Sequence, residues 1–501
     1  MNLSSTKNKL IIVIIALILA SLYWAFWSNS AYFAQESKTY TAEVDRYTKK
    51  VMENNAIPGT AVAIVKQGKI IYSKCFGLGD SEVPAKSISP ASNFHLASIS
   101  KAFVAIAIKK MEEQRRIDLD KPLISYYPRF VMADPRCKII TIRQILNHTS
   151  GIPDVENYHW QDPDFDSLAT ERYIATLATK KLLFDPGTQW DYSNAAYDLL
   201  GLLVSYISHK SFERYMKENI LQPLGMAQST FLLPEIDSSQ RIRGHTGKFK
   251  ATPVSYYPYN RAHAPSSTLQ SNLHDVTQFV QNIFHGESSS KIPISDASLE
   301  SLWTPAMKVN EKLESGLGWF VTRHRRNRVV IAAGRDPGFA SAIALLPEKQ
   351  LGIITLTNSS LEPSIQLDFI LGILDIGQGK EKNPIASVSL PVGKVYEAKG
   401  VDAAIAEYFR IKEEEASRYK VGIGELTWVI HEMIDRERYD DALKLLDVEA
   451  KEYPRCHICY TYAQVYQKKG NRELTAQYYK KWLEYLPDER DSAMEKYLNA
   501  N

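Results

Sequence analysis

The placement of strand-like segments constrains this chain more than any other feature. Thr60–Lys66 and Lys69–Phe76 are rich in apolar and β-branched residues on either side of a Gln67-Gly68 turn, a hairpin signal. Comparable segments return only much later. Val329–Ala333 and Ala340–Leu346 are joined around Gly334-Arg335-Asp336-Pro337-Gly338, and Leu351–Leu356 follows. The intervening patterns are helical: Thr141–Asn147, Ala195–Ser205, Tyr215–Gly225 and Asn272–Phe284, with an amphipathic helix over Tyr40–Asn54 before the first strand. Strands need partners for their backbone N–H and C=O groups. The early hairpin and the late strands are therefore expected to share one antiparallel sheet, built from both ends of the region and flanked by helices. That is an α+β fold.

Length and composition add bounds. With 501 residues the chain has room for two or three domains. Hydrophobic residues at 45% and charged residues at 23% are ordinary for globular protein, and a net charge of +3 gives no electrostatic reason to expect nucleic acid. Lys7 and Lys9 precede an uncharged apolar run from Leu10 to Trp27, which ends in Tyr23, Trp24, Phe26 and Trp27. Its length and aromatic end suit a membrane anchor with a cytoplasmic N-terminus; a signal cleaved after Ser30 is the other reading. Both place the remainder outside the cytoplasm, with residues 1–35 as the anchor or signal. Four cysteines do not make a disulfide scaffold. Cys75 and Cys137 read as single buried thiols.

The chemistry centres on Phe94-His95-Leu96-Ala97-Ser98-Ile99-Ser100-Lys101 and the apolar helical run behind it. If Ser98 opens that helix, Lys101 lies one turn along on the same face, with its amine in reach of the hydroxyl. A serine hydroxyl is a weak nucleophile until a neighbouring base takes its proton, and a desolvated lysine can serve. S-x-x-K alone is common by chance. A second candidate group follows a Pro186-Gly187 turn: Tyr192 and Asn194, two apart in an extended segment, can point the same way. A tyrosine near an ammonium can exchange protons, and an asparagine can both accept from a lysine and donate to a substrate carbonyl.

These segments, in this order, resemble the serine β-lactamase and penicillin-binding-protein-like family, in its class C and esterase branch. Ser98-Ile99-Ser100-Lys101 matches its first motif and Tyr192-Ser193-Asn194 its second. Ile145-Leu146-Asn147-His148-Thr149-Ser150-Gly151, Pro186-Gly187 through Tyr197, and Gln222-Pro223-Leu224-Gly225-Met226 match accessory signatures. The resemblance covers about residues 40–378 and implies a serine hydrolase domain over 36–378. It implies Ser98 as the acylated nucleophile, Lys101 and Tyr192 sharing the proton transfers, and Asn194 positioning Lys101 and substrate. The oxyanion would be held by the Ser98 N–H and an N–H on the late strand, at Gly334-Arg335. No metal or cofactor is implied. One departure stands out. The third family motif begins with a basic residue, lysine or histidine, and here the matching stretch is Ala332-Ala333-Gly334. The cation that would take a penicillin or peptide carboxylate is absent, unless the Arg335 side chain replaces it. This points to small esters, amides or D-amino-acid peptides; a β-lactamase or D-alanyl-D-alanine carboxypeptidase is the alternative, and a binding protein without catalysis the third reading. His148 and His245 are read as structural or loop residues.

Residues 379–398 read as a linker, rich in Gly, Lys, Pro and Ser. In 399–501 only helical patterns follow. Pro454 and Pro487 recur at close to the tetratricopeptide period of about 34 residues, and Gly470-Asn471 suits the turn inside a helix pair. This similarity to a tetratricopeptide-like tail implies a surface for a protein partner; a helical cap on the catalytic domain, shaping its cleft, is the other reading. Cys456 and Cys459 form a C-x-x-C at the start of a repeat helix, read as buried thiols or a local disulfide.

Overall fold

The computed structural model describes residues 40–485, apart from 248–249, 286–290, 381, 383, 385, 423 and 453–456. The apolar run 10–27, Pro454, Cys456 and Pro487 lie outside the described residues, so the anchor does too; of the cysteine pair Cys459 is described, and it is partly rather than fully buried. Among the described residues, no helix is long and apolar enough to cross a membrane.

One eight-stranded antiparallel sheet organises the catalytic region. Its strands are β1 (Gly59–Lys66), β2 (Lys69–Gly77), β3 (Met307–Lys308), β4 (Leu313–Ser315), β5 (Phe320–His324), β6 (Asn327–Asp336), β7 (Phe339–Leu346) and β8 (Leu351–Thr357). Their order across the sheet is β2-β1-β8-β7-β6-β5-β4-β3. The early hairpin thus pairs with the last strand, Thr60 opposite Thr357 through Lys66 opposite Leu351. This is the sheet closed from both ends that the sequence pattern requires. Three short strands, β3 to β5, were not legible, because 2–5 residues of mixed polarity carry little period-two signal. The β6–β7 turn is also tighter than the sequence suggests. Gly334, Arg335 and Asp336 belong to β6, Asp336 pairs with Phe339, and only Pro337-Gly338 turns. Proline followed by Gly338 at φ 89° fits a type II turn.

Helices cover both faces, which is why β1, β7 and β8 are nearly continuous apolar runs rather than alternating ones. Alternate residues still divide between two cores. Ala61, Ala63, Val65, Val330, Ile343 and Ile354 face the helical block, which includes α2 (Ser100–Glu113), α3 (Asn194–Ser208) and α4 (Leu273–Ile283). Val62, Ile64, Val329, Ala342 and Ile353 face α1 (40–54) and α5 (Pro363–Ile376), packing on Val44, Tyr47, Phe369 and Ile373.

The tail is helical with its own core. Thr427–Asp435 pairs with Tyr439–Glu452, and His457–Lys468 pairs with Arg472–Tyr485. Gly470, at φ 76°, and Asn471, whose Oδ1 accepts from Leu474 N at 3.1 Å, make the second turn. These two helical hairpins are compatible with the expected repeats. The stretch read as linker carries a helix, Ser389–Lys399, whose Leu390, Val392 and Tyr396 enter the tail core. Pro391 hid it; in the first turn a missing N–H costs no intrahelical bond. The tail lies against α1 and α5: Trp428, Ser387 and Lys420 share a cleft with Asn54, Ile365 and Asp368. Among the described residues it therefore covers the outer helical layer, behind the sheet from Ser98.

Ile354→Ala empties a fully buried position in the central strand β8. It is expected to lower the unfolding free energy by about 3 kcal/mol, read as a fall in the urea midpoint.

Candidate active site

Ser98 sits in a single 3-10 turn, Ala97–Ile99, that runs directly into α2. Ala97 stands at φ 48°, a left-handed conformation alanine rarely adopts, immediately before the hydroxyl. Ser100 ties the turn down: its Oγ donates to Ala97 O at 2.7 Å and accepts from Leu269 N at 3.0 Å.

Lys101, 2% exposed, follows one turn later on the same face. Its Nζ donates to Ser98 Oγ at 3.1 Å, Asn194 Oδ1 at 2.6 Å and the Ser266 carbonyl at 2.7 Å. All three ammonium protons are therefore engaged. Tyr192 OH lies 2.8 Å from Ser98 Oγ, and its ring sits 4.9 Å from the ammonium. Ser193, between Tyr192 and Asn194, is extended at φ −135°, ψ 115°, and caps α3 by accepting from Ala196 N at 3.0 Å. An extended residue sends its two neighbours to the same side, so Tyr192 and Asn194 both reach the Ser98–Lys101 pair. The structure thus brings all four residues together.

Three supporting groups were not singled out from sequence. Asp154 accepts from Asn194 N at 2.6 Å and Nδ2 at 3.1 Å, which turns Asn194 Oδ1 toward Lys101. Asp198, fully buried, accepts from Ser266 N at 3.1 Å and pairs with His263 at 2.8 Å, anchoring the residue whose carbonyl meets Lys101. Burial raises the Asp198 pKa, opposed by His263, Ser266 and Lys101. Asp336 ends β6 beside the site. None of the three falls in a motif, because each acts on a residue distant in sequence.

His148 is a support. Its ring stacks on Tyr192 at 4.4 Å, and its Nδ1 accepts from Ser193 N at 3.2 Å. Burial, and then the Lys101 charge, hold its pKa well below 6.5. His245 is fully buried: its Nε2 accepts from Ser81 N at 3.1 Å and Nδ1 lies 3.0 Å from Asn358 O. Cys137 is buried, while Cys75 is only partly so, with burial raising its pKa to about 11.

Strand β6 passes directly over the serine turn. A Cβ on Gly334 would lie 2.0 Å from Leu96 O and 2.7 Å from Ser98 N, so only glycine admits this approach. Asp336 and Phe339 close a two-residue turn, so the next pair, Arg335 and Ala340, is the non-bonded kind. Ala340 accordingly turns its carbonyl to β8, accepting from Thr357 Oγ1 at 2.8 Å. The Arg335 N–H points the other way, where β5 has already ended at Phe320 opposite Ile331. Among the described residues, that edge, beside the Ser98 amide, is open. The Arg335 side chain leaves on the opposite face: it is exposed and donates to Leu361 O at 3.3 Å, next to the outer core. It does not replace the basic residue absent at Ala332.

This geometry agrees with the comparisons. Residues 44–372 match the Beta-lactamase family, and the chain belongs to that family. Protein flp of Staphylococcus aureus (strain COL) is 27% identical over 327 residues, 64% of this chain. The chain spans 63% of that relative's length. Penicillin-binding protein 4* of Bacillus subtilis (strain 168) is 26% identical, over 61% of this chain and 69% of its own. Among solved structures, an octameric penicillin-binding protein homologue from Pyrococcus abyssi superposes with a TM-score of 0.61 at 25% identity, covering 71% of this chain and 81% of its own. A class C beta-lactamase gives 0.58 at 21% identity, covering 67% and 96%, and shares the fold.

Gly334→Ala is expected to force β6 off the serine turn and reduce acylation of Ser98 by at least about 100-fold, read with an active-site phosphonate, since small displacements of reacting groups carry such losses. His148 titrates near 6.5 in the unfolded chain and lower in the folded one, so below that value the unfolded state binds the extra proton and stability falls with pH. The urea midpoint should therefore drop between pH 7 and 5, and drop less in His148→Asn.

Proposed function

We propose that this protein is an extracytoplasmic serine hydrolase that works through an acyl-enzyme on Ser98, on small esters, amides or D-amino-acid peptides. The observation that carries this reading is Ser98 Oγ, met by Lys101 Nζ at 3.1 Å and Tyr192 OH at 2.8 Å, beside the open β6 edge.

Ser98 Oγ attacks the substrate carbonyl while its proton passes to the Tyr192–Lys101 pair. The carbonyl oxygen takes the negative charge and is held by the Ser98 and Arg335 N–H groups. Collapse breaks the bond to the leaving group, which receives the proton back from the pair. Water then attacks the ester on Ser98, gives its proton to the same pair, and releases the acid as Ser98 regains its hydrogen. Asn194 keeps Lys101 aimed at Ser98 throughout.

A β-lactamase or carboxypeptidase activity is the second reading. A D-alanine carboxypeptidase from Burkholderia cenocepacia shares the fold at 20% identity, with a TM-score of 0.56. Against it stands Ala332, buried and apolar where a carboxylate-binding cation would be needed. The assembled constellation argues against a non-catalytic binding protein. The location outside the cytoplasm, with residues 10–27 as a membrane anchor, rests on the apolar run and its basic flank. The helical hairpins support a protein-partner surface in the tail.

The test is intact-mass analysis after incubation with a fluorophosphonate and, separately, a penicillin. A phosphonate adduct on the wild-type chain that is lost in Ser98→Ala, with ester turnover lost by about 10⁴-fold, is the expected result. Turnover retained in Ser98→Ala overturns the mechanism. A stable penicillin adduct would favour the second reading.

A further inference from the structure

The site has Ala332 where the resemblance expects a cation, and it carries a carboxylate, Asp336, on the same strand. Ala332, Gly334 and Asp336 alternate along β6, so all three face the serine side, while Ala333 packs on the outer core and Arg335 meets Leu361 there. The Asp336 side chain is 10% exposed. Its Oδ2 accepts from His95 Nε2 at 2.7 Å and from Ser267 Oγ, next to the Ser266 carbonyl that holds Lys101. Among the described residues, Oδ1 has no such bond.

The charge of Asp336 is not cancelled by His95. Gln270 Nε2 donates both to His95 Nδ1 at 2.9 Å and to Thr268 O at 3.2 Å. The amide cannot be reversed without setting its oxygen against the Thr268 carbonyl. Its Oε1 also accepts from Asn93 Nδ2 at 2.9 Å and Tyr257 OH at 2.7 Å. Nδ1 of His95 is thus an acceptor, the ring proton is on Nε2, and the imidazole is neutral. Lys101 cannot neutralise a substrate carboxylate either, since its three donors go to Ser98, Asn194 and Ser266. Tyr257 and Phe339 pack on the His95 ring that bonds Asp336, with ring centroids at 6.0 and 5.9 Å. A carboxylate with one oxygen left to bond is a setting for an ammonium.

We propose that Asp336 selects substrates bearing an ammonium near the scissile carbonyl, in place of the carboxylate that a basic residue at position 332 would select. This rests on the hydrolase reading above. The chemistry requires a primary or substituted ammonium, carried either by the acyl part or by the leaving group.

The experiment measures kcat/KM for the full chain on charge-matched esters, corrected for spontaneous hydrolysis. One arm uses p-nitrophenyl esters of β-alanine, butyrate and hemisuccinate. The other compares the 2-aminoethyl and propyl esters of butyrate. A preference of about tenfold or more for the cationic ester over the anionic or neutral one in either arm is expected, and names which part carries the ammonium. Asp336→Asn should lower the cationic ester's kcat/KM several-fold more than the neutral ester's. Ala332→Lys, which restores a cation without removing Asp336, should raise the hemisuccinate-to-butyrate ratio. Turnover without charge preference, or an equal loss on every ester in Asp336→Asn, overturns the inference and leaves the hydrolase standing. No turnover together with no phosphonate adduct on Ser98 removes the hydrolase reading, and this inference with it.

Discussion

The site depends on one buried ammonium. Lys101 has almost no contact with water, and an isolated charge in that position would be strongly disfavoured. Among the described residues, no carboxylate bonds it. It is held by a hydroxyl, an amide oxygen and a peptide carbonyl, and two carboxylates act through those partners: Asp154 orients Asn194, and Asp198 grips the Ser266 amide. Negative charge is thus kept one residue away. A carboxylate in direct contact would bind the lysine as an ion pair and compete with Ser98 for its protons. The relay keeps the charge solvated by protein dipoles while leaving one donor aimed at the nucleophile.

The sheet supplies the second requirement. The serine turn is pressed against β6 so closely that no side chain fits at 334. That contact sets the Ser98 amide beside the unpaired edge of β6. The edge exists because β5 stops at Phe320, and the direction of the Arg335 amide follows from a two-residue turn. A longer β6–β7 loop would change which amides face the site. The tail packs against α1 and α5 and also lines a cleft with Ser360 and Leu361, which bond Gly338 and Arg335 at the β6–β7 turn.

Much of this was legible in the chain. Strands early and late with a helical block between announced a sheet closed from both ends and flanked by helices. Ser98 and Lys101 are one helical turn apart, and Tyr192 and Asn194 flank one extended residue; such spacings act locally and survive in any fold that keeps the helix and the loop. The short strands β3 to β5 and the helix Ser389–Lys399 were not legible, since few residues and an early proline leave little periodic signal.

What the sequence determined by itself was therefore local: which residues could form a nucleophile–base pair, and that the usual basic residue is missing at Ala332. Tertiary structure decided everything that joins distant segments. Only the fold shows that Asp154 serves Asn194, that Asp198 reaches Lys101 through Ser266, and that Arg335 contributes its amide while its guanidinium departs on the far face. The reason is physical: strand register assigns each side chain to a face and each amide to an edge. Register across this sheet is set by pairings between residues separated by most of the domain, as Thr60 with Thr357.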